Sequence, residues 1–206
     1  MSARTFLVVA RLCFGILALT AIGTQLAVQI ASGFSLINFF SYFTNLSNIF
    51  AAVILLLGAL SLIKRREPTV NEDIIRGTAV VSMALVGIVF GILLRDADLG
   101  SLLPWVNIVL HFIMPVIVVA DWLYQPPKAR LVFTQVWLWL VFPALYLAYS
   151  LIRGAAVGFY AYPFLNPAKS RGYSGVALYC TAILLTFLLC CWLLLIVGNK
   201  RKRSIS

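Results

Sequence analysis

Six long apolar stretches dominate this sequence and leave it very few folds to adopt. They cover residues 7–31, 39–63, 74–94, 104–123, 132–152 and 174–198. About 20 helical residues cross a hydrocarbon core about 30 Å thick, and backbone groups in lipid must pair within their own segment. The chain is therefore predicted to be an all-α, polytopic membrane protein. We expect a six-transmembrane-helix bundle with one domain over residues 1–206, because no connection is long enough to hold a second domain.

The charged residues support this interpretation and predict an orientation. Only 11% of the residues are charged, whereas a soluble domain averages about 25%. Cytoplasmic connections carry an excess of Lys and Arg, so both termini are predicted to be cytoplasmic. The net charge of +10 is accordingly a topology signal and does not indicate nucleic acid as a partner. The basic residues on the side of the N-terminus are 12 of the 16: Arg4, Arg11, Lys64, Arg65, Arg66, Arg76, Lys128, Arg130, Lys200, Arg201, Lys202 and Arg203.

A polar run interrupts the second apolar stretch near its predicted outer end. At about 100° per residue, Ser41, Thr44, Asn45 and Asn48 fall within one arc of a helix about 100° wide. Polar side chains at membrane depth are costly and commonly face a cavity or the protein interior. The run therefore indicates a polar face that binds or transforms a ligand. Hydrogen bonding between helices is the other explanation that the pattern allows.

The fourth stretch contains His111, the only histidine of the chain. Asn107 precedes it by one helical turn and shares its face. Pro115 lacks an N–H, so it leaves the His111 carbonyl without its helical partner and predicts a kink there. A hydroxyl and an imidazole suffice for nucleophilic catalysis. A structural hydrogen bond of the histidine is the competing interpretation.

Thr44 and His111 lie at similar predicted depths from the outer side. They are about five and seven residues into their helices, or about 7 and 10 Å at 1.5 Å per residue. Arg153, at the outer end of the fifth stretch, is a candidate for binding an acyl carboxylate or an oxyanion. A snorkelling interfacial arginine would look the same in sequence. With one histidine and no paired cysteine spacing, neither a bis-histidine haem nor a zinc site is expected, and no cofactor is predicted.

Three motifs carry a resemblance to a known family. Residues 40–48, FSYFTNLSN, resemble the helix-two motif of the androgen-induced membrane proteins and their bacterial six-helix relatives. The segment from Leu110 to Trp122 and the segment from Tyr146 to Phe164 resemble the matching parts of the bacterial branch. The similarity spans most of the chain.

The resemblance implies both an activity and a site. The animal members are intramembrane threonine hydrolases that cleave fatty acid esters of hydroxy fatty acids with a threonine and a histidine. Carried over, these residues are Thr44 as nucleophile and His111 as base. The expected partners are membrane lipids or lipid esters, in a bacterial plasma membrane. Around this pair, the candidates for binding substrate or the oxyanion are Ser41, Asn45, Asn48, Asn107 and Arg153.

Two other functions fit the same polar cavity. A non-catalytic bundle that binds a lipid, a sterol or another small molecule needs no covalent chemistry. A transporter is the third possibility, but the sequence shows no internal repeat and few charges within the apolar stretches. These alternatives differ in whether loss of the Thr44 hydroxyl abolishes an activity or only changes affinity.

Overall fold

The fold is a bundle of long apolar helices. The computed structural model describes residues 2–97, 100–128, 131–132, 134 and 136–205. The chain is 80% helical, and its described residues contain no strand. Within these residues, six helices are long and apolar enough to cross a membrane. The α-helices are α1 (Ala3–Ala31), α2 (Leu36–Phe40), α3 (Phe43–Ile63), α4 (Val70–Val89), α5 (Pro104–Ile108), α6 (Met114–Tyr124), α7 (Val136–Val157) and α8 (Tyr173–Ile205). Two π-helical turns, Phe90–Leu94 and Val109–Ile113, extend α4 and join α5 to α6.

The predicted all-α architecture with six spanning helices is confirmed, and several predicted helix ends differ from the observed ones by four residues or more. The second stretch does not form one helix from residue 39, because the chain breaks at Ser41 and Tyr42. The Ser41 hydroxyl donates to the carbonyl of Ile37, and Tyr42 is extended (φ −87°, ψ 125°) before α3 begins. The fifth spanning helix begins at Val136 and not at residue 132. Thr44 consequently lies in the first turn of α3, and Ser41 lies outside that helix.

The ends of the bundle are defined by contacts between distant parts of the chain. At one end, here called the terminal end, the Arg4 side chain donates to the Leu62 carbonyl, and Asn199 donates to the Leu131 carbonyl. The opposite end, here called the distal end, carries the connections 32–42 and 158–172. The basic residues that the sequence assigns to one side of the membrane lie at the terminal end, wherever the structure describes them. Arg130 and the side chains of the basic tail lie outside the described part of the chain.

Small residues allow the helices to approach closely. In α1, Ala18 and Ala21 are fully buried, as is Ala52 in the facing α3. A methyl group added to Gly77 of α4 would lie 2.3 Å from Cζ2 of Trp139, whose indole is fully buried. Helix association in lipid depends on this kind of close packing, because apolar burial supplies no driving force between helices there.

We expect Gly77→Ala to lower the melting temperature of the purified protein in detergent. The indole of Trp139 cannot move aside easily, because its Nε1 donates to the Ile74 carbonyl at 3.0 Å. Overpacking of this kind costs about 1–3 kcal/mol. Gly23→Ala is the matched control, since nothing lies within 4 Å of the added methyl. A glycine in α1 should gain helix propensity on that change, so equal destabilisation by both variants would contradict the packing explanation.

Candidate functional site

Thr44 lies at the start of α3, where helical N–H groups lack partners within the helix. Tyr42 is the N-cap residue, so Thr44 is the second residue of the first turn. The Thr44 N–H donates to the hydroxyl of Tyr162 at 3.2 Å, and its own hydroxyl lies 3.3 Å from the same oxygen. Thr44 is buried, with 7% of its surface exposed. A buried hydroxyl therefore meets a phenol at the positive end of a helix dipole.

Tyr162 is fixed by the aromatic residues that surround it. It precedes the 3₁₀ turn Pro163–Leu165, and its ring stacks on Phe164 with 5.2 Å between ring centroids and 4° between the planes. Tyr42 meets the same ring edge-on at 5.8 Å. Burial raises the pKa of the Tyr162 phenol to about 12. At neutral pH the group is therefore protonated and serves as a hydrogen-bond donor, not as a base.

Beside Thr44 and Tyr162 lies a cavity of about 390 Å³, here called the distal cavity. Its walls come from the first turn of α3 and from α4, α7 and α8, and they are almost entirely apolar. Ala144 of α7 and Leu184 of α8 line it and are exposed. The cavity is therefore open between α7 and α8. Its size and its few polar groups are typical of a small-molecule site.

His111 lies in the π-helical turn Val109–Ile113, at the point where Pro115 interrupts regular helical bonding. Its Nδ1 is 3.2 Å from the Asn107 carbonyl. A carbonyl only accepts, so Nδ1 carries the proton and Nε2 carries the lone pair. The imidazole stacks on Phe90, with 3.9 Å between ring centroids. Phe90 lines the distal cavity, whereas His111 does not.

Asn48 joins the turn of α3 below Thr44 to the segment that contains His111. Its amide donates to the Thr44 carbonyl at 2.9 Å and to the Leu110 carbonyl at 3.2 Å. A single side chain therefore links the backbone at Thr44 to the backbone at Leu110, the residue before His111. Among the described residues, however, no hydrogen bond joins Thr44 to His111. The Thr44 hydroxyl has Tyr162 as its partner, and the imidazole has Asn107.

The other predicted site residues form hydrogen bonds away from Thr44. The Ser41 hydroxyl donates to the Ile37 carbonyl and accepts from Tyr149 at 2.8 Å. The Asn45 amide donates to the Phe39 carbonyl at 2.8 Å. Arg153 Nη2 donates to Asn38 Oδ1 at 2.7 Å, and its guanidinium lies 4.8 Å from the centroid of the Phe159 ring.

Two buried acceptors close to His111 have no donor. They are the side-chain oxygens of Asn48 and Asn107, which are buried and lack a hydrogen-bond partner. Asn107 lies one turn before His111, and Asn48 contacts the adjacent Leu110 carbonyl. An unpartnered buried oxygen is costly, so each of these two calls for a donor such as a bound water or ligand. Elsewhere, the described residues contain no group of three His, Cys, Asp or Glu side chains that could hold a metal.

The residue that sequence reasoning missed is Tyr162. Nothing in the local sequence pattern distinguishes a buried tyrosine in this connection from one at the membrane interface. The density of Gly, Pro and aromatic residues in the connection 158–172 is the available signal, because Gly and Pro form turns that let aromatic side chains fold back onto the bundle.

Comparisons with known proteins find no matching family model, no matching curated protein and no matching solved structure. The roles of the site residues are therefore argued from their geometry.

We expect Asn48→Ala to destabilise the bundle more than Asn45→Ala does. Asn48 is fully buried and connects α3 to the turn of His111, whereas the half-buried Asn45 only joins α3 to α2. Interhelical hydrogen bonds in membranes contribute about 0.6 kcal/mol on average and at most about 1.7 kcal/mol. Thermal unfolding of both variants in one detergent measures the difference. An equal or larger shift for Asn45→Ala would contradict the bridging role.

Proposed function

We propose that this chain is an intramembrane hydrolase of lipid esters, with Thr44 as the nucleophile and His111 as the general base. One observation carries the proposal: a buried threonine hydroxyl lies at the polar end of an apolar cavity that is open between α7 and α8. An acyl chain entering between α7 and α8 would bring its ester group to Thr44. The resemblance to the threonine hydrolases supports these roles for the same two residues.

The reaction would proceed in two stages. Thr44 Oγ1 attacks the ester carbonyl carbon while Nε2 of His111 takes the hydroxyl proton, and a C–O bond forms. The tetrahedral intermediate then breaks the bond to the leaving alcohol, which receives the proton from the imidazolium. Water attacks the acyl-threonine with the same imidazole as base, releasing the fatty acid and restoring Thr44.

The start of α3 supplies the groups that stabilise the developing oxyanion. In the resting site the Thr44 N–H donates to the Tyr162 oxygen. In the proposed reaction this N–H and the phenol O–H both donate to the oxyanion instead, and the helix dipole favours negative charge there. In the first step, Nε2 of His111 must reach the Thr44 hydroxyl, which contacts Tyr162 in the structure without substrate. Catalytic hydrogen bonds often tighten only when substrate binds. Departure of the imidazole from the Phe90 ring is therefore part of the proposed mechanism.

The proposal includes an orientation and a location. Both termini face the cytoplasm, supported by the excess of Lys and Arg at the terminal end. The distal cavity then lies towards the outer leaflet, where water for the second stage is available. A bacterial plasma membrane is supported by the resemblance to the bacterial branch.

A second candidate function, lipid binding without catalysis, is favoured by one specific observation. The Thr44 hydroxyl is satisfied by Tyr162 and the imidazole is stacked on Phe90, so the resting site is fully formed without a Thr–His contact. In that case the distal cavity holds an acyl chain, and Thr44 only orients its polar head.

Covalent labelling with a fluorophosphonate probe distinguishes the two functions. We expect purified wild-type protein in detergent to be labelled at Thr44, and Thr44→Ala and His111→Ala to lose the label, because the nucleophile needs both its oxygen and its base. Peptide mass spectrometry locates the adduct. Thr181→Ala is the matched control: Thr181 lines the same cavity, but its hydroxyl donates to the Ala177 carbonyl within α8.

The outcomes separate clearly once the melting temperature shows that each variant is folded. Catalysis at Thr44 would be rejected if the Thr44→Ala variant were still labelled. It would also be rejected if wild-type protein were not labelled but still bound a fluorescent fatty acid. The second result would establish the lipid-binding alternative. Loss of the label in Thr181→Ala as well would indicate a general change in the cavity.

For the hydrolysis of an acyl ester, we expect Tyr162→Phe to lower kcat by about 10²-fold with little change in KM. Removal of one oxyanion donor has an effect of about 10²–10³ in kcat. The ring and its stacking on Phe164 are retained in this variant. Tyr160→Phe is the corresponding control, since Tyr160 packs against Gly154 and does not contact Thr44. An unchanged kcat in Tyr162→Phe would show that the phenol takes no part in catalysis.

A further inference from the structure

The distal cavity is elongated along the axis of the bundle. Three long helices line it over several residues each, and α4 and α7 run towards the distal end while α8 runs back. At 1.5 Å per residue, the lined stretches are about 10–14 Å long. The cavity therefore has the dimensions of an extended chain. The stretches are Leu85–Leu94 from α4 and its π-helical turn, Leu140–Leu147 of α7 and Cys180–Phe187 of α8.

The end of the distal cavity that lies nearest the terminal end is closed by three apolar side chains, here called the floor. They are Leu85, Leu140 and Phe187, the lining residues of α4, α7 and α8 that lie furthest from the distal end. Beyond them the interior is filled. The fully buried indole of Trp139 packs against Gly77, two turns beyond Leu85 in α4. A chain that enters the cavity must therefore stop at the floor.

Polar groups are available only at the opposite end of the distal cavity. Thr44 and Tyr162 lie there, and the Thr44 hydroxyl is within 3.3 Å of the phenol oxygen. The Thr181 hydroxyl, further along the wall, donates to the Ala177 carbonyl of its own helix. A ligand with one polar end is thus held in one direction, with its polar group at Thr44 and its hydrocarbon towards the floor.

The opening between α7 and α8 lies partway along the cavity. Ala144, one turn from Leu140 towards the distal end, and Leu184 border it. Leu145 and Leu185, the next residues of these two spanning helices, are exposed apolar side chains. Exposed apolar surface of this kind suits the hydrocarbon of a bilayer. An ester has two chains, so one can occupy the cavity while the other leaves through this opening.

We propose that the distal cavity selects esters by the length of the acyl chain, with an optimum of about eight to eleven carbons. An extended hydrocarbon advances about 1.25 Å per bond, since a C–C bond is about 1.5 Å long, and this number of carbons fills the cavity. The carbonyl lies at Thr44, the terminal methyl contacts the floor, and the alcohol part leaves between α7 and α8. The inference rests on the proposed function, because it takes Thr44 as the residue that attacks the carbonyl.

Hydrolysis of a series of saturated p-nitrophenyl esters tests this selection in purified wild-type protein. The acyl chains range from about 4 to 18 carbons and are presented in mixed micelles at equal mole fraction. We expect kcat/KM to be highest at about eight to eleven carbons. It should fall at least about fivefold at 16 carbons, because a longer chain must displace packed side chains at the floor.

A change at the floor should move the optimum. Phe187→Ala removes a buried ring and leaves space beyond the present floor, so the optimum should shift by about three carbons towards longer chains. Leu184→Ala is the matched control. It removes an apolar side chain from the same helix and the same cavity, but at the exposed opening, and should leave the optimum where it is. If Phe187→Ala does not fold, Phe187→Leu should give a smaller shift in the same direction.

Binding to the Thr44→Ala variant separates this inference from the proposed function. Saturated fatty acids of the same lengths compete with a fluorescent fatty acid, and this assay needs no catalysis. Absence of hydrolysis together with strongest competition near eight to eleven carbons would overturn the hydrolase and support the length-selective site. Competition that strengthens steadily up to about 18 carbons would overturn the site. Equal shifts of the optimum in Phe187→Ala and Leu184→Ala would also overturn it.

Discussion

The shared ion pair of Asp121 with Arg11 and Arg76 is the interaction on which the arrangement of the helices depends most. It joins α1, α4 and α6 at the terminal end, and all three side chains are largely buried. Breaking a buried pair from one side leaves an uncompensated charge and typically costs about 3–5 kcal/mol. At the distal end, by contrast, the helices and connections are held by aromatic stacking and by neutral hydrogen bonds, which are weaker.

Much of the fold is predictable from sequence because lipid restricts the conformations that a spanning segment can adopt. A segment long and apolar enough to span must be helical, so all six spanning helices follow from composition and length. The break at Ser41 and Tyr42 is not predictable in this way. Phe39, Phe40 and Phe43 continue the apolar pattern across it. At the break, the Phe39 carbonyl accepts from the Asn45 amide and the Ser41 carbonyl accepts from the Tyr146 hydroxyl, a residue about 100 positions later in the chain.

The candidate site is predictable only in part, for a similar reason. The polar face of α3 and the position of His111 are visible as exceptions within apolar stretches, and Asn48 does connect the two. The partner of the Thr44 hydroxyl comes from a connection more than 100 residues later in the chain. Helical periodicity says nothing about such a contact, because the fold of a connection rich in Gly and Pro is set by tertiary packing.

The stacked pair of Phe90 and His111 is formed by two π-helical turns that face each other. A π-helical turn holds one more residue than an α-helical one, and each added residue rotates the remainder of its helix by about 100°. Loss of one residue between Ile108 and His111 would rotate the imidazole by about 100° relative to α5 and carry it away from the Phe90 ring. The alignment of imidazole and cavity wall thus depends on the number of residues that precede His111, and point substitutions around the site leave that number unchanged.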